Sequence, residues 1–257
     1  MKPFLFEVCA ESVEAAQAAE SGGADRIELC SELPIGGLTP EIAVTAAAIR
    51  AISIPVHVLI RPRGGDFVYS GEEFSLLKKQ IEQVKQAGAA GVAVGVLLPR
   101  GRVDVKRTRE IVDLCRPMNA IFNRAFDKAS NLSEALEAVI ETGADCLLTS
   151  GGAADVLAGV ESIARLNRQA GNRLQIMAGG GLQPANLVEV VRRTGVRSLH
   201  GSLNRRGSAN GKTNHDSASS NHSAAHALAV LECDVRESVR LLQREFNTRE
   251  PLRRVVS

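Results

Sequence analysis

The sequence predicts an α/β fold, a single (β/α)₈ barrel spanning residues 1–257, and three features of the chain lead to that reading. Short apolar, β-rich runs alternate with helical patterns from end to end, which implies a parallel sheet covered by helices. The strand reading recurs eight times, the number at which such a sheet closes on itself. A glycine-led module also recurs, as Gly-Ala-Asp-Arg-Ile-Glu-Leu at Gly23, Gly-Ala-Ala-Gly-Val-Ala-Val at Gly88, Gly-Ala-Asp-Cys-Leu-Leu-Thr at Gly143 and Gly-Val-Arg-Ser-Leu-His-Gly at Gly195. Each glycine can end a helix in the left-handed conformation just before an even-numbered strand. An open doubly wound sheet gives no reason for this even spacing, so a TIM barrel is the expected architecture.

The elements follow in order. Strands are predicted at 4–9, 26–30, 56–61, 91–96, 120–123, 146–150, 174–178 and 198–201. The first helix, at 12–21, opens on Ser12, whose hydroxyl suits an N-cap. Further helical patterns cover about 40–51, 72–87, 104–115, 131–142, 153–169 and 184–194, and an amphipathic stretch at about 232–246 ends the chain. Between the last strand and that stretch, residues 207–227 lose apolar periodicity and are dominated by Ser, Asn, Gly and Ala, which predicts a flexible loop. Its histidines, His215, His222 and His226, are spaced too irregularly to specify a metal site.

Composition narrows the function classes. Hydrophobic residues make up 44% and charged residues 23%, enough to bury a substantial core. A net charge of +2 with 3% aromatic residues argues against nucleic-acid binding, because neither a basic stripe nor a stacking platform is present. Five cysteines without a C-x-x-C pair point to a reducing cytoplasm rather than a disulfide framework. The N-terminal segment meets Glu7 too early for a secretory signal, and no apolar run reaches the length of a membrane span. Nothing in the chain indicates a nucleotide cofactor.

Alternation along the strands locates the candidate site. In a barrel, alternate residues point inward, and polar ones near strand C-termini face the mouth. Glu7 and Cys9 share one face of the first strand, and Glu28 and Cys30 one face of the second, while Val8, Ile27 and Leu29 face the helices. His57 and Arg61 share parity on the third strand, followed by Arg63, Gly64, Gly65 and Asp66. Two carboxylates and two thiols converging in this way need compensation from cations, hydrogen bonds or a metal. Arg61 and Arg63 can neutralise Glu7 and Glu28 or clasp an anion; Arg61 can equally belong to an ion-pair layer that seals the barrel. The later strands end in Arg124 and Asp127, in Ser150, in Gly179, Gly180 and Gly181, and in His200 with Ser202. Glycine-rich turns leading into helix N-termini can cradle phosphate or carboxylate, or can simply make tight turns. Glu7, Glu28, His57, Asp66 and His200 are the candidates for proton exchange. The thiols of Cys9 and Cys30 suit a soft ion such as Cu(I), and also suit plain burial.

The segments FEVC, GGADRIELC, GGLTP, IPVHVLIRPRGGDF, RAFD, LTSG and MAGGG together strongly resemble the CutC copper homeostasis family over about residues 4–204. The resemblance implies a cytoplasmic, homo-oligomeric TIM barrel, a dimer or tetramer, with Cu(I) bound through Cys9 and Cys30. The chain departs from the family at Asn123, where a histidine is usual, at Leu98 to Arg102, where an acidic turn is usual, and in the loop after His200. Asn123 cannot titrate, so no proton transfer is assigned to it. Two functions stay in view: a copper-binding homeostasis protein without turnover, and a lyase, isomerase or hydrolase acting on a small anionic or phosphorylated metabolite. An interaction scaffold is a third class, for which no residue speaks.

Overall fold

Eight parallel strands close in strict sequence order in the computed structural model, which describes residues 2–203 and 220–249. The strands are β1 (Leu5–Ala10), β2 (Arg26–Leu29), β3 (Val56–Leu59), β4 (Gly91–Val94), β5 (Asn119–Phe122), β6 (Cys146–Thr149), β7 (Gln175–Gly179) and β8 (Ser198–Gly201). β1 pairs with β2 on one side and β8 on the other, with Leu5 opposite Ser198 and Glu7 opposite His200, so the first and last strands form the seam. Helices α1 (Val13–Gly22), α2 (Ile42–Ala51), α3 (Gly71–Gln86), α4 (Val105–Cys115), α5 (Leu132–Glu141), α6 (Val160–Ala170), α7 (Pro184–Thr194) and α8 (Ser220–Arg249) form the outer layer. The predicted α/β barrel is the observed one, and each predicted strand lies within two residues of its observed bounds.

Local chemistry explains the boundaries. Ser12 caps α1 by accepting the Ala15 amide, and Ser70 and Glu73 form a reciprocal capping box on α3. Asp104 and Asn131 cap α4 and α5 in the same manner. The four glycines of the recurring module, Gly23, Gly88, Gly143 and Gly195, all have positive φ, between 71° and 97°. α6 begins at Val160 rather than 153, because turns occupy the stretch after Gly151. Residues 97–98 and 102–103 form a two-stranded antiparallel hairpin at the segment that departs from the family's acidic turn.

The last helix requires a correction. The sequence pattern places 220–227 in a loop, whereas α8 already runs from Ser220. Its apolar stripe, Val235, Val239, Leu242 and Phe246, begins only further along, so the first turns carry no periodic signal. Residues 204–219, including His215, lie outside the described residues, as does the side chain of His222; His226 is exposed on α8. No helix of the described residues is long and apolar enough to cross a membrane.

Two apolar layers follow from strand alternation. Phe6, Val8, Ile27, Leu29, Val58 and Val92 point outward into the main core beneath the helices. Cys9, Cys30, Leu59, Ala93, Ile121, Cys146, Leu148 and Met177 form a separate cluster inside the barrel. The interior therefore holds thiols and thioether among aliphatic groups, and the charged residues of β1, β2, β3 and β8 share it.

Candidate functional site

Glu7 is the hub of the polar interior. Its carboxylate is wholly buried; one oxygen accepts the Arg26 Nε–H at 2.5 Å and the other accepts His200 Nδ1–H at 2.8 Å. His57 Nδ1 lies 3.7 Å from the first of these oxygens, too far for a hydrogen bond, and both ring nitrogens of His57 are buried without a hydrogen-bond partner among the described residues. Arg26 also reaches across the barrel, its Nη2 donating to Met177 Sδ at 3.6 Å. The cation that offsets Glu7 is thus Arg26, not Arg61 or Arg63. Arg26 has the same parity as Glu28 and Cys30, so the alternation that found those two also marks it as inward-facing.

Electrostatics follow from this arrangement. Burial works to raise the Glu7 carboxyl, but Arg26 and His200 outweigh it and hold Glu7 well below the usual carboxylate range. Glu28 is pushed up, chiefly by burial and further by the charge of Glu7. Burial disfavours the His200 imidazolium, yet the Glu28 and Glu7 carboxylates prevail and raise it above the ordinary histidine value. His57 moves the other way, down to about 4, because burial and the nearby Arg26 both oppose a second positive charge.

Above this hub, the Cys9 and Cys30 sulfurs approach to 3.0 Å, both buried. The contact with Cys30, burial and the neighbouring carboxylates keep the Cys9 thiol well above its ordinary value, so it is protonated at neutral pH. The Cys9 sulfur, a Glu28 oxygen and a His200 nitrogen lie within 4.8 Å of one another. Cys146 is buried within the same interior and Cys115 on the outer layer, with both thiols pushed up to about 12 by burial; Cys233 is exposed.

A cavity of about 260 Å³ opens over the thiols at the C-terminal mouth, and its lining includes Cys9, Glu28, Cys30, Arg61, Phe67, Asn123, Arg124, Gly180, Gly181, His200 and Ser202. Arg61 is spanned by its own loops. Its Nη1 donates to the Ile35 and Gly37 carbonyls, its Nη2 donates to Gly65, and the guanidinium lies 4.7 Å from the Phe67 ring centre. Arg124 donates through Nε to Asp127 and through Nη2 to Ser150. Asp127 in turn accepts from the Thr149 hydroxyl and from the Ser150 and Gly152 amides, tying β5 to β6. Gly179 sits beneath His200, where a Cβ would come within 3.1 Å of that residue and 2.7 Å of Leu148.

Of the sequence candidates, Glu7, Cys9, Glu28, Cys30, His57 and His200 thus occupy one connected interior, and Arg61, Arg124, Gly180, Gly181 and Ser202 line the cavity above it. Arg63 and Asp66 are elsewhere: Arg63 pairs with Glu73 and with the exposed Asp66, and staples the loop after β3. Asp127 and Ser150 stand behind Arg124 as supports.

The comparisons agree with this architecture. The CutC family model matches residues 4–205. A family protein CutC of Caulobacter vibrioides is 44% identical over 199 residues, covering 77% of this chain and 81% of that protein. The human copper homeostasis protein cutC homolog is 43% identical over 197 residues, 77% of this chain and 72% of its own. The crystal structure of a putative copper homeostasis protein CutC from Streptococcus agalactiae superposes with a TM-score of 0.73 at 28% identity, covering 77% of this chain and 98% of that one. With the family model spanning most of its length and its barrel matched in a solved relative, this chain belongs to the CutC family.

Proposed function

We propose that this chain is a copper homeostasis protein that binds Cu(I) as cargo through Cys9 and Cys30 at the floor of the barrel mouth. The observation that carries the reading is the buried approach of the two sulfurs to 3.0 Å beneath an open cavity. Thiolates are soft donors that favour Cu(I), and two of them satisfy an ion of low coordination number. The donor set fits: His200 and Glu28 border the pair, and Glu7 fixes the imidazole orientation through Nδ1. The human relative's name, copper homeostasis protein, supports the same assignment. A reducing compartment such as the cytoplasm keeps both sulfurs as thiols ready for the ion.

The test is a Cu(I) titration of the reduced, chelator-free protein against a colorimetric competitor. One equivalent is expected to bind, and Cys9→Ser or Cys30→Ser is expected to abolish that stoichiometric uptake. The exposed thiol of Cys233 is removed first as Cys233→Ser, so that only interior sites are counted. Undiminished binding in both interior serine variants sinks the reading.

A further inference from the structure

We propose that the mouth cavity is also a binding site for a small oxyanion, the carboxylate or phosphate group of a compact metabolite, held on the wall formed by Asn123, Arg124 and Gly180. The proposal does not rest on the copper reading, because none of these residues is a thiol or contacts one in the hydrogen-bond network described above.

The argument begins with Asn123. Its Oδ1 accepts the Ala125 amide at 2.9 Å, which settles the orientation of the side-chain amide and leaves Nδ2, with two N–H donors, pointing away from that turn. Asn123 is only 5% exposed, yet Nδ2 has no hydrogen-bond partner among the described residues and is not one of their sealed, unpaired atoms. Asn123 lines the cavity, where a ligand can reach those donors. Donors open to the cavity hydrogen-bond water when no ligand is bound, and an anionic acceptor that displaces that water gains the stronger, charge-assisted bond.

Arg124 adds charge at the same wall. Asp127 takes its Nε–H and Ser150 takes an Nη2–H, which fixes the guanidinium and leaves Nη1 without a partner among the described residues. The guanidinium rests against Gly180, whose φ is +102°; a Cβ there would fall 3.0 Å from Arg124 Cζ and 3.1 Å from Nη1. Glycine at 180 therefore makes the room through which Arg124 reaches the cavity. Gly95 does the same for Asn123, since a Cβ there would lie 2.4 Å from its Oδ1.

The wall offers donors and no acceptor, which selects an acceptor-rich ligand. Arg61 and Arg124 both line the cavity, and Glu28, on the thiol side, is the single carboxylate among its lining residues. The loops after β7 and β8 supply Gly180, Gly181 and Ser202, at the edge where barrels of this class commonly seat phosphate groups. The volume, about 260 Å³, is ample for a short phosphorylated or dicarboxylic molecule.

The test uses the full chain, reduced and metal-free, titrated calorimetrically with inorganic phosphate and separately with malonate. Asn123→Asp keeps the acceptor that caps Ala125 but replaces the inward donors with a carboxylate; it is expected to weaken binding at least about tenfold. Arg124→Gln is a second variant with the same expected direction, in case the first folds poorly by circular dichroism. Arg50→Gln removes an equal charge from the exposed end of α2 and is expected to change nothing. Tighter binding of phosphate or of malonate assigns the ligand's anionic group. Equal affinity in the wild type and both cavity variants, or no saturable binding of either probe, overturns the proposal. Because no copper is present, either result leaves the Cu(I) titration to stand or fall separately.

Discussion

A single buried carboxylate organises the chemistry of this molecule, and its neighbours define what substitution does. Replacing Arg26 by Met removes one of the two hydrogen-bonded cationic partners of Glu7, and removing one side of a buried ion pair costs about 3–5 kcal/mol. Urea unfolding of Arg26→Met is expected to show a loss of that size, partly restored by adding Glu7→Gln; a loss below about 1 kcal/mol counts against the hub. His57 gives a pH signature. Its folded value of about 4 lies below the ordinary 6.5, so at this site the unfolded chain binds a proton that the folded chain refuses. The contribution is complete above pH 6.5 and is lost as pH falls toward 4, by at most about 3 kcal/mol. His57→Leu is therefore expected to flatten the fall in melting temperature between pH 6.5 and 5, and parallel curves refute the assignment. These residues were partly legible in the sequence: alternation put Glu7, Glu28, His57 and both thiols inside. Arg26 escaped because a charged residue opening a strand reads as its solvent boundary. Asn123 stood out only as a departure from the resemblance; its cap on the Ala125 amide is local, but that it lines the mouth cavity follows only from the closed barrel.

The recurring strand–helix modules were legible because buried parallel strands leave contiguous apolar runs punctuated by glycine. The outer ring was less so where helix meets helix. Ala16, Ala19 and Gly22 give α1 a face of small residues, and α8 lies against it closely enough that a Cβ on Gly22 would sit 2.6 Å from Val235 Cβ and 2.8 Å from the Glu232 carbonyl. Gly22→Ala gains helix propensity of about 0.5–1 kcal/mol but must displace a backbone carbonyl. The overpacking term of about 1–3 kcal/mol prevails, so a net loss of stability is expected in urea unfolding. An unchanged midpoint means that α8 shifts freely. The early turns of α8 carry exposed residues at 224–227, so tertiary docking further along, through Val235, Val239, Leu242 and Phe246, is what sequence periodicity could register.

At the scale of the whole molecule, the closed sheet and the site are one construction. The strand order runs 1 to 8 without interruption, and its closing seam joins β1 to β8 at the level where Glu7 meets His200. Eightfold repetition was readable from the chain, as were the mouth's glycine-rich turns; which arginine answers which carboxylate was not, because that depends on the stagger between neighbouring strands. Glu7 takes one partner 19 residues downstream and another 193 residues downstream. A chain emerging N-terminus first from the ribosome therefore displays both thiols and their first arginine early, while the imidazole beside them arrives only with the final strand. The polar interior is thereby left unfinished until the eighth strand has been made, and a product terminated before it carries both sulfurs and Glu7 without His200.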